Sequence, residues 1–483
     1  MSDRFVPSAQ TRGVRARLDH PVIDSDGHLV EFLPVIRDNV VELAGETVAR
    51  EVDRMVHASS LLRQVPPGDA RRAIGRTRSP WWGLPSANTL DRATAMLPAL
   101  LYRRLDEIGI DFAVLYPTYG LTVTAYPGDE LRRAMARACN TYYAQAYGPY
   151  ADRLAPVACI PTFTPEEAVD ELEYAVGELG LKAVMLSGAI PRPVPGVDHP
   201  AARWIDTLGH DSAYDYTPVW EACDRLGVAA TFHASGQGWG TRASTTNYMY
   251  NHIGNFAAAG EGTARSLLFG GVPRRFPRLR FAFQEGGVAW ACSLLADFLG
   301  HWSKRNRDAI SHYDPARLDR ARLDALVDEF AGDDVRARRD RMDEALTMLS
   351  EPGEDPAVID EFAQSGIERP EDVVDVFAHQ FFFGCEADDP LNALAFARSL
   401  HPLGARLRAV FASDIGHWDV PDTRDVLPEA YELVVDGHLT EDDFADFVFR
   451  NPAALWSAAN PKFFAGTVVE DAVRACDRQE GAS

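Results

Sequence analysis

Short continuous apolar runs alternate along the chain with longer stretches whose apolar positions recur at three- and four-residue spacing. The short runs predict strands near 22–26, 111–116, 155–160, 181–187, 228–233, 279–285, 379–385 and 408–413. The longer stretches predict helices at about 92–108, 129–149, 165–179, 216–226, 258–270, 288–300, 389–400 and 423–435. Boundary residues agree with this division. Thr164-Pro165-Glu166-Glu167 puts proline and acids in a first helical turn, and Thr440-Glu441-Asp442-Asp443 starts another. Gly109, Gly180 and Gly227 stand between a helix and the next strand, where a left-handed cap ends a helix without steric cost.

Eight strands separated by helices predict an α/β fold, a (β/α)8 TIM barrel. The strand runs are apolar throughout rather than alternating, as expected of strands covered on both faces. A doubly wound open sheet is the competing architecture. It normally carries a glycine-rich phosphate turn after its first strand, and Asp26-Gly27-His28 is not one. Insertions are expected after strands 1, 5 and 6, at about 31–91, 234–257 and 301–375. The predicted organisation is an N-terminal tail (1–20), strands 1–6 with their insertions (21–300), a charged helical insertion (301–378), and strands 7–8 with C-terminal helices (379–483). Loops at strand C-termini form the working face of a barrel, so the insertions are expected to build pocket walls and a lid.

The net charge of −23 over 483 residues argues against nucleic acid and anionic membrane surfaces as partners. A small-molecule substrate is expected instead. Cys139, Cys159, Cys223, Cys292, Cys385 and Cys476 show no C-x-x-C pair and mostly sit in apolar runs, as small core residues do in a reducing compartment. The first residues carry arginines without an apolar stretch, and no run reaches the roughly 20 apolar residues a membrane span needs. A cytoplasmic location is expected.

Polar chemistry is concentrated at the strand exits. Asp26 and His28 end the first strand, and side chains two apart on an extended segment share a face. His233 ends the fifth strand, Glu285 the sixth, Glu386 follows the seventh, and Asp414 with His417 follows the eighth. Carboxylates and imidazoles at several exits of one barrel point to a metal centre. Glu285 fits a general base or a ligand to a second metal. Glu386 fits either a site carboxylate or an acid that starts the next helix. His252, on a Gly/Asn-rich loop, fits either a substrate contact or a solvated residue. Trp82, Tyr119 and neighbouring loop aromatics suggest a bulky, partly apolar substrate.

These residues carry a family likeness. Ile23-Asp24-Ser25-Asp26-Gly27-His28, Phe232-His233, Phe276-Pro277-Arg278-Leu279-Arg280 leading to Glu285-Gly286-Gly287, and Ser413-Asp414-Ile415-Gly416-His417-Trp418-Asp419 resemble the amidohydrolase-related metal-dependent enzymes, including non-oxidative aromatic decarboxylases. The resemblance implies a TIM barrel with a divalent metal, usually zinc or manganese, held by Asp26, His28, His233 and Asp414. It also implies a possible homodimer. Many members have H-x-H where this chain has Asp26-Gly27-His28, and several decarboxylases have a catalytic histidine where this chain has Glu285. Extra oxygen ligands lean toward manganese or iron. Three functions follow as expectations. The first is hydrolysis of a C–O or C–N bond, or decarboxylation of a carboxylic acid. The second is a dinuclear non-haem iron monooxygenase on the same barrel, which the family is known to include. The third is a degenerate barrel that only binds.

Overall fold

Eight strands lie side by side in parallel: β1 (Ile23–Leu29), β2 (Phe112–Pro117), β3 (Leu154–Ile160), β4 (Ala183–Leu186), β7 (Ala230–Phe232), β8 (Phe281–Phe283), β9 (Phe381–Glu386) and β10 (Arg408–Ala412). The computed structural model describes residues 5–79, 86–124, 126, 128–233, 239–347 and 359–480. The sheet runs in chain order from β1 to β10, with helices between its strands, and curls into a TIM barrel. The Asp414 N–H donates to the Asp26 carbonyl at 3.0 Å and the His28 N–H to the Ile415 carbonyl at 3.0 Å. These bonds join the exit of the last strand to the first. Barrel closure removes the exposed edges an open sheet would have.

The strand residues are buried almost throughout, which accounts for their unbroken apolar runs. Phenylalanines supply much of the filling around β8 and β9: Phe281, Phe283, Phe381 and Phe383 are all nearly inaccessible, and Phe377 packs edge-on against Phe381. One extra pair of strands lies outside the barrel. Ile190–Pro193 (β5) and Arg203–Asp206 (β6) form an antiparallel hairpin after β4. Its two prolines and charged residues mask it in the sequence, and Arg192 fastens it by pairing with the buried Asp206.

Some predicted elements differ in detail. The helix expected over 92–108 is two helices, Thr89–Met96 and Pro98–Ile108, because Pro98 begins a new first turn. The expected helix at 389–400 is a 3-10 segment, Pro390–Phe396. The seventh barrel strand starts at Phe381 rather than 379, since helical turns continue from Pro370 to Gln380. After β1 come a long helical segment, Leu33–Gln64, broken at Gly45 (φ 84°), and the short helix Asp69–Ala73. No helix among the described residues is long and apolar enough to cross a membrane.

Candidate metal centre

A bulge shapes the exit of β1. Asp24 pairs with Ala113 and Gly27 with Leu115, so β1 carries one residue more than β2 across this step. The extra residue re-aims Asp26 toward the barrel mouth. Only glycine fits at position 27, where an added Cβ would lie 2.6 Å from Asp24 Oδ2 and 3.2 Å from the Leu115 and Ile415 side chains. Asp24 itself accepts from the Ser413 hydroxyl at 2.6 Å, the Ser413 N–H at 3.0 Å and the Asp26 N–H at 3.2 Å. One buried carboxylate thus holds both the first and last ligand-bearing segments.

Six side chains from four strand exits converge here. His28 Nε2 lies 3.4 Å from Asp26 Oδ1, 3.1 Å from Glu285 Oε1 and 3.2 Å from Asp414 Oδ1. His233 Nε2 lies 3.1 Å from the same Glu285 oxygen and 4.0 Å from Asp26 Oδ2. His417 Nδ1 lies 2.6 Å from Asp414 Oδ1, and its Nε2 is 3.2 Å from Thr118 Oγ1. The His28 and His417 rings stack with centroids 3.5 Å apart. Ligand-type atoms of Asp26, His28 and His233 lie within 4.8 Å of one another, and so do those of His28, Glu285, Asp414 and His417. The two groups share His28.

Backbone strain accompanies this convergence. Glu285 (φ 54°) and Asp414 (φ 48°) both adopt the left-handed region that non-glycine residues seldom occupy. Such conformations cost about 1–3 kcal/mol each and persist where surrounding structure demands them. Here each one accompanies a carboxylate that reaches His28 from just beyond the end of a strand.

The electrostatics are unbalanced without a cation. Burial pushes the Asp26 carboxyl well above its ordinary range against the pull of His28, and Glu285 and Asp414 add to the rise. Burial and then Glu285 push Asp414 upward as well. Burial also acts to raise Glu285, yet His233, with His28 and His417 beside it, holds it well below the usual carboxylate range. Burial lowers the His233 imidazole, favouring its neutral, ligand-competent form. Neither carboxylate oxygen of the inaccessible Asp26 meets a hydrogen-bond donor. Buried charges are ordinarily paired or coordinate metals. The donor set of carboxylate oxygens and imidazole nitrogens fits a divalent cation, and its oxygen content suits manganese or iron.

Other residues singled out in the sequence lie around this cluster. Glu386 ends β9 at the rim of the site and belongs to neither ligand group, but burial and then Asp419 and Glu285 push its carboxyl up to about 8. His252 hydrogen-bonds the Tyr248 hydroxyl (3.3 Å from Nδ1) and packs against Phe256 and Trp418. The Tyr119 N–H donates to the buried Glu31, and the Tyr119 hydroxyl is buried without a hydrogen-bond partner. Trp82 lies outside the described residues.

Three contributors escape a search for strand-exit ligands. Asp24 sits inside β1 rather than at its end. Thr118 follows β2 and carries no signal beyond an ordinary hydroxyl. Burial and then the neighbouring Asp414 push the Asp419 carboxyl up to about 8. It stands in the same motif as Asp414 and His417, which is the signal that could have found it. Beside His233, a narrow pocket of about 20 Å³ is lined by Phe232, Trp239, Phe256, Ala259 and Phe283, with Gly188 and Gly260 in its walls. An added Cβ at Gly260 would come within 2.9 Å of the Trp290 ring.

A family model described as Amidohydrolase matches residues 23–335. No curated protein matches the chain. Similar solved structures include a dihydroxybenzoic acid decarboxylase from Polaromonas sp. JS666 with bound manganese and the inhibitor 2-nitroresorcinol, at 15% identity and TM-score 0.48, covering 92% of this chain and 99% of that one. An amidohydrolase from Mycobacterium avium subsp. paratuberculosis K-10 is 16% identical with TM-score 0.48, covering 91% of this chain and 100% of that one. A 5-carboxyvanillate decarboxylase from Novosphingobium aromaticivorans DSM 12444, complexed with manganese, is 13% identical with TM-score 0.47, covering 95% and 99%.

Proposed function

This chain belongs to the amidohydrolase family, and on that premise we propose that it is a metal-dependent enzyme that hydrolyses a C–O or C–N bond in a small, partly apolar substrate. The observation that carries this reading is the meeting of Asp26, His28, His233 and Asp414 with Glu285 in one buried cluster. A divalent ion held by the first four would supply Lewis acidity and a water acidified toward pKa ~7.

The chain's own residues perform the remaining tasks. Asp414 takes the proton of the attacking water and passes it to His417 Nδ1, 2.6 Å away. The Thr118 hydroxyl at His417 Nε2 fixes the ring while its charge changes. His417 then releases the proton from the same Nδ1, the nitrogen that faces the cluster, to the leaving oxygen or nitrogen. The apolar side chains beside His233 give the substrate an apolar wall.

A second reading draws on one specific feature, the two ligand groups joined at His28. With Glu285 between them, this inventory suits two iron ions and oxygen activation. The deciding experiment presents metal-loaded protein with a panel of aromatic and aliphatic esters, lactones, amides and carboxylic acids, and measures products and dissolved oxygen. Hydrolysis products without oxygen uptake support the first reading. Oxygen consumption with two irons per chain supports the second, and carbon dioxide release from a carboxylic acid makes the enzyme a decarboxylase.

A further inference from the structure

Two insertions distant in sequence are sewn together on the working face. The Arg78 N–H donates to the Ser244 carbonyl at 2.8 Å. The inaccessible Asn251 side chain donates to the Arg78 and Ser244 carbonyls, at 2.6 and 2.8 Å, and accepts from the Ser244 N–H at 2.9 Å. The Gly68 N–H donates to Thr245 Oγ1 at 2.9 Å. Between the joined segments lies an open cleft of about 570 Å³ lined by Pro67, Arg71, Arg78, Thr245, Thr246, Asn247, Tyr248 and Met249.

The charge of this cleft is opposite to that of the chain. Two arginines line it, no acidic residue is among its described lining residues, and the whole chain carries −23. Arg71 is buried, with Nε and Nη1 committed to the Val65 and Thr245 carbonyls, so its charge is fixed in the wall. Arg78 differs. Its backbone is clamped on both sides, yet its half-buried guanidinium makes no hydrogen bond or ion pair with any described residue. A guanidinium held in place with its donors uncommitted is suited to a carboxylate or phosphate.

Tyr248 connects this cleft to the metal centre. It lines the cleft, its ring is 5.9 Å from that of Trp418, the neighbour of His417, and it contacts His252. His252 in turn packs on Phe256, whose ring is 5.7 Å from that of His233. An aromatic wall therefore runs from the arginines to the ligands.

We propose that the cleft is an anion-binding subsite, where Arg78, backed by Arg71, holds a carboxylate or phosphate at the end of the substrate remote from the metal centre. The substrate is thus an anion with an apolar reacting portion. This deepens the proposed function and rests on it for the location of the reacting end. The acidic cluster would repel such a substrate unless a cation were bound, so the arginine cleft gives the anionic end a separate place to dock.

Isothermal titration of the metal-loaded protein with inorganic phosphate, and separately with succinate, tests the subsite at constant ionic strength. Parent, Arg78→Gln, Arg78→Lys and Asp26→Ala proteins are compared, with thermal melting as a check on folding. Binding that weakens about tenfold or more in Arg78→Gln, recovers in part in Arg78→Lys and persists in Asp26→Ala supports the proposal. A preference for phosphate or succinate identifies the anionic group. Binding unchanged in Arg78→Gln, or absent from the parent for both anions, overturns it. Binding lost only in Asp26→Ala places the anion on the metal and also overturns it. Persistence in a metal-free Asp26→Ala protein separates the subsite from the metal-centre reading, which can fail by itself.

Discussion

The Ser413 hydroxyl and N–H both donate to the Asp24 carboxylate, at 2.6 and 3.0 Å, tying the last barrel strand to the first. Asp26 follows Asp24 by two residues and Asp414 follows Ser413 by one, so this pair sets the relative position of two candidate ligands. Ser413→Ala removes a buried hydrogen bond to a carboxylate, worth about 1.5–3 kcal/mol. Thermal denaturation is expected to show a loss of that order. A metal titration is expected to show about tenfold weaker binding, as for other groups that orient ligands. Unaltered metal affinity would reduce the pair to a structural tie.

Metal removal should have a charge-dependent effect on stability. Asp26, Glu285 and Asp414 repel one another in a buried site, and a bound cation offsets that repulsion. At a free metal concentration of 1,000 times Kd, chelation is expected to cost about 4 kcal/mol. Asp414→Asn should reverse the order: less stable than the parent with metal present, more stable after chelation. Melting curves of both proteins with and without chelator check the crossing.

His417 separates the two functional readings. If it moves protons and binds no metal, His417→Phe retains the parent's metal content while turnover falls by about 10²–10⁴. Elemental analysis beside single-substrate kinetics measures both. A loss of metal in this variant would assign His417 to a ligand set and favour the dinuclear centre.

A pH effect on stability should come from a carboxyl outside the ligand cluster. Burial raises the Glu171 carboxyl to about 7, despite its Asn140 hydrogen bond and the nearby Arg137. Its ordinary value is 4.5. Between these values the folded protein binds a proton that the unfolded chain has released, so stability falls as pH rises through this window. The contribution of this group is at most about 3 kcal/mol. Glu171→Gln is expected to flatten that part of the stability profile, measured by denaturant unfolding between pH 4.5 and 8.

The barrel and the ring of polar strand exits were legible because both follow from simple patterns. Strands covered on both faces leave continuous apolar runs, and ligands at strand ends interrupt those runs with acids and imidazoles. The Ile190–Pro193 and Arg203–Asp206 hairpin left no such pattern: it is short, proline-bearing and only partly buried. The Asp24 tie was hidden for a different reason. A carboxylate within an apolar strand looks like a neighbour of Asp26 until its partner, Ser413, nearly four hundred residues away, is placed beside it. Likewise Thr118 acquires meaning only through its distance to His417. Glu386 shares the strand-exit signature of Glu285, and burial with Asp419 and Glu285 raises its carboxyl to about 8, yet it joins neither ligand group.

Elemental analysis of protein purified without added metal, then re-equilibrated with manganese, iron or zinc, tests the metal centre most directly. The parent is expected to retain at least one divalent ion per chain through gel filtration, and Asp26→Ala to retain none while keeping its fold by circular dichroism. A folded parent that holds no metal under any of these conditions would contradict the centre and the hydrolytic function built on it.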